Sequence, residues 1–356
     1  MLQIGPFQTD CPVLLAPIAG YTDLPFRLVC RAAGHTGLTY TELLHSRGIL
    51  EQNRDSLEIA RVSEDDQPFG VQLYGNDPDW FCQAAQWAQS QGATLIDINM
   101  GCPVDKVTKT NGGSMLLCDP DRTTRMAEAI VKSVSIPVTA KLRLGWSDCE
   151  LTAPRLARQL EEVGIQLITI HGRTTAQRFK GFANLDGIAE VVAAVRQIPV
   201  IGNGDIDSPA AAVRMIEHTK CAGVMVARAA IKRPWVLREI HDRLTAGQSP
   251  VEPTVLEKIR LIRLHFDLMR RFRGDRLAMI VMRGRIAAYG TRLGHVKPFK
   301  ERVRLMTSPT EFDSAIDELQ QMLDPSWTTV PHWAFFEQAC ANHPDEVGAG
   351  AAAISP

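Results

Sequence analysis

Residues 166–228 read QLITIHGRTTAQRFKGFANLDGIAEVVAAVRQIPVIGNGDIDSPAAAVRMIEHTKCAGVMVAR. Three short aliphatic runs stand out, QLITIH (166–171), PVIGNG (199–204) and GVMVAR (223–228), and the intervening segments 184–196 and 208–219 carry apolar residues at helical spacing. The runs are continuous rather than alternating, as in strands covered on both faces, and a helix between strands is the connection that parallel pairing requires. Toward the N-terminus the same unit recurs, with runs VLLAP (13–17), GLTYTELL (37–44), FGVQLY (69–74), TLIDINM (94–100) and PVTAKLRL (137–144). Helical spacing recurs at 77–91, 119–134, 149–163 and, after the last strand, 234–245. Asp119 before Pro120 and Ser208 before Pro209 read as N-caps, while Gly92 and Gly164 read as helix ends. Eight units over some 245 residues predict an α/β fold of the TIM (β/α)8 barrel type. An open doubly wound sheet is the alternative.

Pro250 and Pro253 break this pattern, and 254–323 has helical period with no strand signal, predicting a small all-α bundle of about four helices. The expected domains are a barrel at 1–247, a helical domain at 253–323 and a flexible tail at 324–356. Residues 255–304 hold 11 Arg and 3 Lys against Glu257, Asp267, Asp275 and Glu301, a net charge of +10. The whole chain of 356 residues carries −1, which leaves −11 elsewhere. A basic helical module on an acidic barrel suggests a polyanionic partner.

A chain that is 45% hydrophobic and 22% charged excludes disordered and collagen-like classes. No apolar run approaches the ~20 residues of a spanning helix, and MLQIGPFQTD has neither a basic start nor a long apolar stretch, so a soluble, cytoplasmic protein without membrane contact is expected. The eight cysteines form no C-x-x-C pair and no Cys/His cluster, so no metal is expected. Cys30, Cys82, Cys118, Cys149 and Cys221 read as small inert core residues. Cys102 lies in a Gly–Cys–Pro turn after the fourth strand, which presents its thiol outward, as proton donor or nucleophile.

Polar residues collect at the C-terminal ends of the strands, where barrels of this type hold their active sites. The first strand leads into APIAGYTD, the third carries Gln72, the fourth ends INMGCP, the fifth holds Lys141 and Arg143, the sixth ends HGR, the seventh NGD and the eighth VAR. Asn203, Gly204 and Asp205, with Ala227 and Arg228, stand where many barrels bind phosphate, so a phosphate-bearing ligand is expected. An inward ammonium at Lys141 calls for oxygen atoms or negative charge on that ligand. His171 at its strand end reads as a further ligand contact.

In order and spacing, APIAGYTDLPFR, GVQLYG, DINMGCPVDKV, GGSMLL, KLRLGW, TIHGRT, PVIGNGDI, VMVARAA and RPW resemble the tRNA-dihydrouridine synthases, especially the bacterial B-type subgroup, from residue 3 to about 245. The resemblance implies a flavin mononucleotide (FMN) cofactor, NADPH as reductant, and conversion of a tRNA uridine to 5,6-dihydrouridine by hydride delivery to C6 and protonation of C5. It implies that Pro17, Ile18 and Ala19 line the flavin ring with their backbone and that Gln72, Lys141 and His171 contact its polar edge. It further implies that Asn203, Gly204, Asp205, Ala227 and Arg228 hold the ribityl phosphate, that Cys102 is the proton donor, and that Asn99 and Arg143 contact the uracil. The helical domain then becomes the tRNA-binding bundle, with Arg283 and Tyr289 in register.

Two positions depart from the family pattern, Ile18 in place of the usual methionine and Ala227 in place of the usual glycine. The second puts a methyl near the expected phosphate. A small-molecule FMN-dependent oxidoreductase of the dihydropyrimidine or dihydroorotate type is the alternative function. It would share barrel, flavin and cysteine but would have no use for the basic helices.

Overall fold

A computed structural model describes residues 1–293 and 296–323. The expected tail at 324–356 lies outside the described residues. Contacts divide the chain into two units, Met1–Glu252 and the part from Pro253 onward.

In the first unit, strands β1 (Leu2–Ile4) and β2 (Phe7–Thr9) form an antiparallel hairpin. The barrel follows with β3 (Val13–Leu15), β4 (Thr39–Tyr40), β5 (Leu44–His45), β6 (Phe69–Tyr74), β7 (Leu95–Met100), β8 (Val138–Arg143), β9 (Ile168–His171), β10 (Val200–Asn203) and β11 (Gly223–Val226). Pairing is parallel and sequential from β6 to β11, then β11 to β3, and β4 pairs with β6. A parallel bridge between Leu14 and Leu38 joins β3 to the residues before β4 and closes the ring. The barrel prediction holds. The run at 37–44 does not form one strand, since β4 and β5 are two-residue pieces that pair with opposite ends of β6.

Six sequence-predicted helices are present: Pro78–Ser90, Pro120–Ser133, Ala153–Glu162, Leu185–Ala194, Pro209–Thr219 and Val236–Ala246. Asp119 and Ser208 cap theirs as expected, accepting from Arg122 N–H (3.0 Å) and Ala211 N–H (3.3 Å). A further helix, Leu24–Ala32, is held by ion pairs from Arg27 (2.6 Å) and Arg31 (3.0 Å) to Asp66, which also accepts from Thr39 Oγ1 (3.0 Å). Arg27 and Asp66 are fully buried, so each charge depends on the other.

Strand parity sorts the side chains. Val13, Leu15, Val71, Leu73, Ile96, Ile98, Ala140, Leu142, Ile168 and Ile170 face outward into the layer shared with the helices. Leu14, Ala16, Leu38, Tyr40, Leu95, Leu167, Ile201 and Met225 face inward, and Leu2 and Ile4 of the hairpin join them at the end where the strands begin. The hairpin thus fills that end with apolar side chains. Above this floor the inward positions turn polar.

From Pro253 onward the described residues form the helices Val255–Arg273, Asp275–Tyr289, Lys297–Leu305 and Pro309–Leu323. Thr254 and Glu257 make a reciprocal capping box at the first of these. Ile262, Phe266, Met269, Met282, Ile286, Phe312 and Ile316 build its core, where Phe266 and Phe312 stack at 3.8 Å. The last helix carries Glu311, Asp313, Asp317 and Glu318, so 253–323 as a whole has a net charge of +6, less than the +10 of its basic stretch. Arg263 pairs with Asp317, Arg302 with Glu318, and Arg270 with Asp275 at 2.8 Å. Tyr289, one of the two residues in register with the family, is buried with its hydroxyl on His265 Nδ1 (2.8 Å), and the other, Arg283, donates to Met306 O (2.8 Å).

Candidate active site

The inward-facing side chains at the strand ends form three connected groups. The first runs through β6, β7 and β8. Asp97 accepts from Thr139 Oγ1 (2.6 Å) and Gln72 Nε2 (2.7 Å), Gln72 Oε1 accepts from Asn99 Nδ2 (2.7 Å), and Asn99 Oδ1 accepts from the N–H groups of Gly101 (3.2 Å) and Cys102 (3.0 Å). All four side chains are buried. Burial lifts the Asp97 carboxyl to about 6, although the bonds from Gln72 and Thr139 pull the other way.

The turn carrying Cys102 is fixed from two further sides. Arg143 Nε donates to Gly101 O (2.7 Å), and its Nη1 to the carbonyls of Thr174 (2.8 Å) and Arg178 (2.6 Å), so one guanidinium joins the loops after β7 and β9. On the other side Ser114 N–H donates to Cys102 O (3.1 Å). Gly113, at φ +59°, lies so close that a Cβ there would come within 2.8 Å of Cys102 O. Cys102 itself is partly accessible. Burial pushes its thiol up, only partly offset by the Val104 backbone and the charges of Arg143 and Lys141, so the sulfur keeps its proton near neutrality.

The second group spans β8, β10 and β11. Lys141 Nζ donates to Asn203 Oδ1 (3.0 Å), whose amide donates to Met225 O (2.8 Å). Among the described residues Lys141 makes no ion pair, and burial together with the charge of Arg143 lowers it to about 8. An ammonium held above an apolar floor with donors to spare is the chemistry that a ligand oxygen satisfies.

The third group is anionic at its centre. Asp205, at φ +52°, receives both Arg173 (2.7 Å) and Arg228 (3.3 Å) and also Ala183 N–H (2.9 Å). Buried Arg173 also faces His171 Nε2 at 3.2 Å. A guanidinium can only donate, so Nε2 carries the lone pair and Nδ1 the proton. Burial first, and then the charges of Lys141, Arg143, Arg173 and Arg228, hold His171 well below its usual pKa, in agreement with a neutral ring. Gly204, at φ +116°, packs on that ring, and a Cβ there would stand 2.8 Å from Ala183 Cβ and 3.0 Å from His171 Cδ2.

A family model described as dihydrouridine synthase (Dus) matches residues 14–324. This chain belongs to that family. A probable tRNA-dihydrouridine synthase of Rickettsia conorii is 35% identical over 319 residues, 89% of this chain and 96% of that protein. The tRNA-dihydrouridine synthase B of Xanthomonas campestris is 38% identical over 288 residues, covering 81% of this chain and 86% of its own length. Its Pseudomonas aeruginosa counterpart is 37% identical over 302 residues, 84% and 90% of the two chains. No helix among the described residues is long and apolar enough to cross a membrane.

The structure of this dihydrouridine synthase brings Gln72, Asn99, Cys102, Lys141, Arg143, His171, Asn203, Gly204 and Asp205 to one end of the barrel, and several have jobs that strand-end position alone did not show. Asn203 positions Lys141, Asp205 gathers two arginines, and Arg143 binds three carbonyls. Pro17, Ile18 and Ala19 follow β3, where Ile18 N–H donates to Thr22 Oγ1 (2.9 Å), Ile18 O accepts from Tyr21 and Thr22 (2.9 and 3.0 Å), and Gly20 N–H ties the turn to Glu42 Oε2 (2.6 Å). Ala227 N-caps the short helix Arg228–Lys232. Asp97 and Arg173 were not among the chosen residues, although Asp97 shares the inward parity of Asn99 on β7 and Arg173 closes the HGR run just past β9. Cys118 and Cys149, read from sequence as core residues, are exposed, because Cys118 ends the short 3-10 helix Gly113–Cys118 and Cys149 lies in the turn before the helix Ala153–Glu162, neither on an apolar face.

Proposed function

We propose that this protein reduces uridine in tRNA to 5,6-dihydrouridine, with FMN as cofactor and NADPH as reductant, in the cytoplasm. The observation that carries the reading is the convergence, in a chain of this family, of a partly accessible thiol, an inward lysine that makes no ion pair among the described residues, and a buried histidine at one barrel mouth. The residues suit FMN: Lys141 and the second N–H of Gln72 can donate to its polar edge, His171 Nδ1–H can donate beside it, and the Gly204–Asp205 turn with Arg228 can take its phosphate. Bound there, FMN supplies hydride chemistry.

The chain's own part is acid catalysis and charge placement. Cys102 Sγ–H donates the proton that C5 of the uracil requires, and Arg143 and Lys141 stabilise the resulting thiolate and charge developing on the ring. A uridine must leave its stack to reach this mouth, so RNA is held by shape and phosphate contacts, for which the basic helical unit is suited.

Mapping dihydrouridine in tRNA from a strain lacking this protein tests the reading, and an unchanged tRNA map rejects it. In single turnover, Cys102→Ala should keep its flavin and lose dihydrouridine formation by roughly 10²–10⁴-fold.

A further inference from the structure

Five hydrogen bonds connect the barrel interior to the Cys102 turn, and all of them run toward Asp97 as the terminal acceptor. Thr139 and Gln72 donate to Asp97, Asn99 donates to Gln72, and Gly101 and Cys102 donate to Asn99, at 2.6, 2.7, 2.7, 3.2 and 3.0 Å. An ionised carboxylate has no proton to give, and a backbone N–H has no lone pair to offer. Both ends of the chain therefore impose one orientation on the two amides between them. We infer that Asp97 is a positioning residue for Cys102: as terminal acceptor it dictates how Gln72 and Asn99 present their amides, and so holds the turn that bears the thiol. The chain stands on its hydrogen bonds alone, while its bearing on proton delivery rests on the function proposed above.

Other contacts agree with this direction. Lys141 and Tyr40 are the charged and titratable neighbours that act on Asp97, and Lys141 favours its ionised form. Gln72 N–H additionally donates to Thr41 Oγ1 (3.1 Å), which fixes the backbone from which the relay side chain extends.

Direction can be tested by reversing it. Asn99→Asp puts an acceptor-only group at the outer end, so Gln72 lies between two carboxylates that both require its single NH2 end. Adding Asp97→Asn restores a consistent chain of opposite sense. The carboxylate at position 99 then accepts from the turn and from Gln72, whose carbonyl accepts from the new amide at position 97. That amide's oxygen accepts from Thr139.

The experiment compares wild type, Asp97→Asn, Asn99→Asp and the double variant as full chains at pH 8. It reads the thermal midpoint and amide hydrogen exchange in the peptide covering 99–104, where Pro103 contributes no N–H. Asn99→Asp should lower the midpoint and speed exchange of the Gly101 and Cys102 amides by about tenfold, the size of a typical coupling between contacting polar groups. The double variant should return both readings toward wild type, and Asp97→Asn alone should change them less than Asn99→Asp does. Additive losses in the double variant, or an Asn99→Asp protein identical to wild type, would overturn the inference. If Asn99→Asp does not fold, a folded double variant supports it and an unfolded one overturns it. Neither reading uses tRNA or NADPH, so failure of the proposed function would leave this result intact.

Discussion

Asp97 combines two properties that oppose each other. Its carboxylate organises the Cys102 turn, yet burial raises its pKa from 3.8 to about 6. The native state therefore holds this proton between about pH 4 and pH 6 while the unfolded chain has released it, so the stabilisation is complete below pH 4 and lost as pH rises through 6. Two pKa units correspond to about 3 kcal/mol. Subtracting the pH–stability curve of Asp97→Asn from that of wild type should isolate this slope, with wild type losing relative stability from pH 4 to pH 6. A flat difference would show that the ionised form is not disfavoured. Lys141 is the matching case on the cationic side, since burial lowers it to about 8 and its charge below that pH costs the native state. Lys141→Met should melt higher than wild type at pH 7 and bind FMN more weakly, measured by thermal melts and flavin titration.

Individual elements show where the sequence was readable and where it was not. The helices were legible because Asp119 and Ser208 precede prolines, and because the apolar spacing in 120–133 and 209–219 is regular. The barrel strands were legible because both faces are covered, which makes them continuous apolar runs. The 37–44 segment looked like one more such run, but its apolar content serves two short pieces that meet different ends of β6. The β1–β2 hairpin left no strong signal, since three-residue strands are too short to show a period. Ion pairing between distant segments was equally invisible: nothing local links Asp66 to Arg27, and their pairing is a property of the closed barrel. Asp66→Ala should cost roughly 3–5 kcal/mol by leaving the Arg27 guanidinium buried and uncompensated. Urea denaturation of that variant measures the loss, and a change under 1 kcal/mol would show that water reaches Arg27.

At the scale of the whole molecule, the candidate site lies within Met1–Glu252, and the contrast in charge lies between the units. A chain ending at Glu252 should retain flavin, and its deficit should appear as weaker tRNA binding with a shallower dependence on salt, because phosphate contacts dominate such affinity. Arg271 and Arg276 are better single tests of this role than Arg270, which is tied to Asp275. Filter binding at two ionic strengths decides the point, and equal affinity in both proteins would place the RNA contacts on the barrel alone.

The hairpin at the far end adds a constraint of traffic. With Leu2 and Ile4 seated among Leu14, Leu38, Leu95, Leu167 and Ile201, buried apolar side chains of the described residues plug the far end of the barrel. Reductant and RNA, if both address a flavin at the open mouth, must queue for one doorway, so the oxidised nicotinamide has to depart before the nucleotide arrives. Initial-rate plots at several fixed concentrations of the second reactant should then be parallel lines, and a common intersection would mean that the mouth admits both at once.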